Sequence, residues 1–239
     1  MGEEIVQKIK DGRTDLILNF VEAGQSPSYK DENGTTLLQW CAYYGDVSAI
    51  KYLLQKGASL KELGPNYDLN GAAFHGHWRL TQFLLEKGAD ANYQLSDTGE
   101  TALHAALCKA NRPAYAWVVQ LLLSAGANPN LATRINVETG AFMRDVHTRG
   151  ETPLHRAAAF ADYDTIQLLL SAGADKTIKD ANGETPLSWA SWHLRPAKII
   201  DLLCYGDFRV HPDQVKKSVS DHGAGWGNGM EIALLGKIN

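Results

Sequence analysis

At 239 residues, 44% hydrophobic and 21% charged, the chain has the composition of an ordinary globular protein. Its net charge of −4 excludes bulk electrostatic attraction to nucleic acid or an anionic membrane. The cysteines, Cys41, Cys108 and Cys204, form no CxxC pair, which excludes a disulfide framework or a zinc knuckle, and no apolar run of about 18 residues offers a membrane span.

Residues 2–24 read as an N-terminal cap, with Ile5, Ile9, Leu16, Ile17 and Phe20 inward and charges outward. The opening decapeptide is amphipathic and charged, unlike a signal peptide. Residues 31–57 follow as a helix, a tight turn and a second helix with Leu37 and Gln39 near the start. Residues 64–88 are the most degenerate copy, Asn66-Tyr67-Asp68-Leu69-Asn70-Gly71-Ala72-Ala73 before Gly76-His77. Residues 97–126 carry extra residues around 109–114. Residues 131–148, with Ile135, Val137, Gly140, Phe142 and Val146, read as an enlarged hairpin finger inserted between copies.

Residues 150–173 are the best-kept copy. Thr152 can cap a helix and Pro153 suits its first position, where a missing N–H is harmless. Leu154, Ala157 and Ala158 line one slim apolar face; Ile166, Leu168, Leu169 and Leu170 line a fuller one. Gly173 can end the second helix. A sixth copy spans residues 180–206. The tail, 207–239, with Gly223, Gly225, Gly227 and Gly229, reads as a C-terminal cap or a partner-binding tail.

Glycines closing the second helices, Gly24, Gly57, Gly88, Gly126, Gly173 and Gly206, recur at 33, 31, 38, 47 and 33 residues. Gly99-Glu-Thr-Ala-Leu-His, Gly150-Glu-Thr-Pro-Leu-His and Gly183-Glu-Thr-Pro-Leu-Ser recur with them. Two short helices cannot bury both faces alone, so each unit needs neighbours. Period and motif together resemble the ankyrin repeat family. That resemblance implies an all-α solenoid over residues 1–206, with an N-cap at 1–30 and an insertion at 131–148.

It also implies that exposed first-helix positions and hairpin tips meet a protein partner in a concave groove. The helix positions are Tyr43, Tyr44, Phe74, His75, Cys108, Phe160, Trp192 and His193; the rim is Glu32, Glu100, Arg149 and Glu151, with Phe142 and Arg144 on the finger. Aromatic side chains give large contact area at low entropy cost. His104 and His155 occupy the family's structural histidine position, so a catalytic role is not expected. His75 and His77, two apart, point to different faces of any helix, and no third ligand is apparent for a metal. Trp40, Trp78, Trp117 and Trp189 fall at framework positions and are expected in the core. A base-stacking surface would need interleaved arginines.

The sequence therefore predicts a non-enzymatic, cofactor-free, monomeric scaffold for a protein partner, with no nucleic-acid or membrane partner. It is expected in the cytoplasm, with export as an effector left open. Alternatives are a small-molecule or enzymatic pocket enclosed by finger and tail, and self-association through the groove or tail.

Overall fold

The computed structural model describes residues 2–108, 113–139 and 146–205. Phe142, Arg144 and the tail at 207–239 lie outside them. The chain divides into two compact units, one of residues 2–95, 101–106 and 113–127, the other of residues 96–100, 107–108, 128–139 and 146–205.

Unit 1 is a series of antiparallel helix pairs: α1 (Gly2–Lys10) and α2 (Leu16–Glu22), α3 (Leu37–Tyr44) and α4 (Val47–Gln55), α5 (Leu69–Phe74) and α6 (Trp78–Glu86), α7 (Ala102–Ala106) and α8 (Pro113–Ser124). Ile9, Ile17, Leu38, Ile50, Leu53, Leu84, Leu103 and Leu122 are fully buried between them. Helices this short are marginal alone; the packed apolar faces hold them. Unit 2 carries α9 (Pro153–Phe160) with α10 (Tyr163–Ser171) and α11 (Pro186–Trp192) with α12 (Ala197–Leu203). It also carries an antiparallel hairpin, β1 (Ile135–Thr139) and β2 (Val146–Arg149), paired Ile135 to Arg149, Glu138 to His147 and Thr139 to Val146, with a bulge between the first two pairs.

One device starts most first helices. Gln39 Oε1 accepts from the Thr36 N–H at 2.8 Å, His104 Nδ1 from Thr101 at 3.1 Å and His155 Nδ1 from Thr152 at 3.1 Å. Each satisfies a backbone donor at the helix start. His155 Nε2 then donates to the Glu184 carbonyl at 3.1 Å, which fixes the neutral tautomer. Burial pushes its pKa down, against that bond. His155 is thus structural, as its motif position implied.

A second device closes the turns. The His77 Nε2–H donates to the Tyr43 carbonyl at 2.9 Å, and Tyr115 to the Phe74 carbonyl at 2.7 Å. Arg195 Nη1 donates to the Ala159 carbonyl at 2.6 Å in unit 2. Gly45, at φ +72°, lies so close to the His77 ring that a Cβ would sit 2.7 Å from it. No described helix is long and apolar enough to cross a membrane.

Candidate functional site

Unit 1 presents an aromatic ribbon along its first helices. Tyr43, 52% exposed, makes edge contacts with Trp40, Tyr44 and His75, with centroids 6.1, 5.0 and 5.1 Å apart. The Tyr44 hydroxyl donates to the Lys10 carbonyl at 2.5 Å, which holds that ring against the N-terminal cap. Trp40 is oriented by its indole N–H, donated to Asp31 Oδ2 at 3.1 Å. Phe74 is half-buried, and His75 is exposed on its edge at 5.2 Å. Lys10, Trp40, Tyr43, Tyr44, Asp68 and His75 line a cavity of about 520 Å³. Glu32 is exposed and pairs with Lys10, which lines the cavity.

The turn before α5 departs from the motif. Asn66, Tyr67 and Asp68 all adopt left-handed backbone, at φ 50°, 54° and 54°. The Asp68 carboxylate accepts from the Gly71 amide at 3.1 Å, replacing the missing threonine cap. Asn66 grips the next turn, accepting from the Asp90 N–H at 2.7 Å and donating to its carbonyl at 2.9 Å.

His75 and His77 correct one expectation. They stack with centroids 5.6 Å apart and planes at 19°, rather than pointing apart, because they flank the Gly76 turn instead of sharing a helix. No cluster of three or more metal-type ligands occurs among the described residues.

Unit 2 holds the other patch. Trp192 is 60% exposed and donates its indole N–H to Glu184 Oε2 at 3.2 Å. Phe160 is half-buried and meets the exposed His193 edge-on at 4.9 Å. Partial desolvation by its neighbours and the nearby Arg195 push the His193 pKa down. With Trp189 and the hairpin's His147 and Arg149, these residues line a cavity of about 590 Å³. Arg149 is exposed, and its main chain ties the hairpin down: its N–H donates to Glu151 Oε2 and its carbonyl accepts from the Ala181 N–H, both at 2.7 Å.

Beneath that cavity lies a cluster that the motif reading missed. Arg156 is fully buried, with its guanidinium 2.7 Å from Glu100 Oε1 and 2.6 Å from Glu151 Oε1. Thr139 on β1 donates to both Glu100 oxygens at 3.1 and 3.0 Å, and Thr133 donates to Glu151 at 2.7 Å. Arg156 Nη1 also reaches Cys108 Sγ at 3.3 Å. Burial raises the Glu151 carboxyl, but Arg156 and the Arg149 amide bring it net below its usual range. Burial pushes the Cys108 thiol up to about 11.

The expectation that Glu100, Glu151 and Cys108 stand exposed for a partner is therefore corrected. All three are at most 5% exposed, because a buried guanidinium draws both carboxylates inward. A signal was present in the sequence. Trp40 and Trp189 occupy the helix position that Arg156 fills, and each pairs with an aspartate nine residues earlier, Asp31 and Asp180. Arginine in a tryptophan's place demanded an acidic partner. Trp117 is also corrected: it is 58% exposed, while Trp40, Trp78 and Trp189 are half-buried.

Repeats capped in this way and stacked within each unit define an ankyrin-type binding scaffold. Comparison with known proteins agrees: the family described as ankyrin repeats (3 copies) matches residues 5–92, 66–133 and 134–212, and the chain belongs to it. The putative palmitoyltransferase ZDHHC13 of Danio rerio is 28% identical over 213 residues, covering 78% of this chain and 32% of that protein. The putative ankyrin repeat protein FPV031 of fowlpox virus is 32% identical over 175 residues, covering 69% and 45%. Ankyrin repeat and SOCS box protein 16 of Mus musculus is 30% identical over 177 residues, covering 70% and 35%. The chain thus spans about a third of the length of the palmitoyltransferase it matches.

Proposed function

We propose that this chain is a non-catalytic recognition module that holds a segment of a partner protein against the first-helix faces of its repeats. The observation that supports it best is the exposure of large aromatics whose backbones are tightly held. Tyr43 and Trp192 are more than half exposed, yet Tyr43 lies on a helix closed by His77, and Trp192 is oriented by Glu184. Rings displayed on a rigid frame lose little entropy on binding, which is what a recognition surface needs. Tyr44, Phe74, His75, Phe160 and His193 extend the two patches; Glu32 and Arg149 supply polar rim.

The test starts from a partner isolated on the immobilised chain and titrated against purified variants. Trp192→Ala and Tyr43→Ala should each weaken binding roughly tenfold or more, as truncation of an aromatic hot spot does. Trp192 is largely solvated, so its removal should leave the melting temperature nearly unchanged. Unchanged affinity in both variants would sink the assignment.

A further inference from the structure

The second helices of unit 1 carry a feature that the first-helix patches do not use. Arg79 lies over the Trp78 ring, 4.6 Å from its centroid, and Trp78 meets Trp117 at 6.3 Å. Lys51 on α4 and Lys87 just after α6 both lie 5.6 Å from the Phe83 centroid, and Lys56 lies 5.4 Å from that of Tyr52. The contacts join α4, α6 and α8 into one face, on which Trp117 is 58% exposed. Arg79, Lys51, Lys56 and Lys87 are all exposed, and none forms an ion pair among the described residues. The acidic residue on these helices is Glu86, which accepts from Gln82 at 3.0 Å.

We infer that this face, Trp78, Trp117 and Arg79 with Lys51, Lys56 and Lys87, is a second docking surface, for an acidic amphipathic segment of another protein. Charge complementarity argues for that occupant. The patch is cationic on a chain whose net charge is −4. An acidic segment meets the patch alone and gains both its charge and the tryptophan contact area. Tryptophan and arginine are also the residue types that concentrate binding energy at protein interfaces.

The probe is a synthetic amphipathic helical peptide, with leucines along one face and glutamates flanking them, titrated into the full chain by calorimetry. Parallel arms use phosphatidylserine-containing vesicles and the groove variant Trp192→Ala. Saturable binding is expected, weakening as salt rises to about 0.5 M. Trp117→Ala should weaken it roughly tenfold, and the double reversal Arg79→Glu with Lys87→Glu at least as much. Trp192→Ala should not change it, which separates this surface from the first-helix patches. These positions are exposed, so the variants should melt with the parent chain. Three results would overturn the inference: no peptide binding; binding that Trp117→Ala and the double reversal leave within twofold; or Trp117-dependent capture of vesicles in place of the peptide.

Discussion

Two turns, one before α5 and one before α9, do the same job by opposite means. Before α9, Thr152 keeps relaxed extended backbone, and His155 receives its N–H. The demanding element there is ionic, the buried Arg156 between Glu100 and Glu151. Before α5 nothing ionic is buried; three consecutive non-glycine residues take left-handed backbone instead. Such residues cost about 1–2 kcal/mol each relative to relaxed geometry. The Asp68 cap and the Asn66 grip on Asp90 offset that strain. Where the motif survives, the backbone is easy and side chains carry the risk. Where it is lost, the backbone is strained and short polar side chains repair it.

The sharpest way to break the comparison is Arg156→Ala. It strands two buried carboxylates, so stability should fall by about 3–5 kcal/mol. For a chain of this size that lowers the melting temperature on the order of 10 °C. The triple variant Arg156→Met, Glu100→Gln, Glu151→Gln should recover most of the loss, because no buried charge remains unpaired. Thermal melts of the two variants decide whether the cluster acts as a set.

Acid should loosen the turn before α9 in two stages. His155 titrates below its ordinary value of 6.5 when folded, so the unfolded chain binds the extra proton first. Its contribution is complete above about 6.5 and is lost as pH falls from there towards its folded value. Glu151 follows: its folded pKa lies below 4.5, so its contribution is complete above about 4.5 and is lost on falling through the lower value. Each proton adds a slope of at most about 1.4 kcal/mol per pH unit. Denaturant titrations across pH 7 to 3 should show both steps, and His155→Gln should shrink the first to what His193, whose pKa is also lowered, contributes.

The turn before α5 should answer to smaller changes. Asp68→Ala removes a helix cap and should cost about 1 kcal/mol. Tyr67→Gly removes left-handed strain at φ 54° and should raise stability by up to about 1 kcal/mol, in contrast to most substitutions. Denaturant midpoints at constant slope would measure both.

The motif residues made much of this legible. Thr36, Thr101 and Thr152 start helices where the repeat predicts, and Gln39 shows that the histidine's role passes to any side chain that can accept from the cap N–H. The positions of Tyr43 and Trp192 followed from register alone. The fate of Glu100 and Glu151 did not. Their motif position is a hairpin tip, and Arg156, with the hydroxyls of Thr133 and Thr139, turns them inward. The His75–His77 stack was equally hidden, because it depends on Gly76 reversing the chain between them.

The sequence by itself determined what is periodic and local: repeat length, helix caps, turn glycines and the apolar faces that require neighbours. Those depend on interactions within a few residues, which spacing records directly. Only the tertiary structure decided which polar residues are buried and which tryptophan is exposed. Arg156 meets Glu100 across 56 positions in the chain, and Trp117 meets Trp78 across 39, so neither outcome is carried by local spacing.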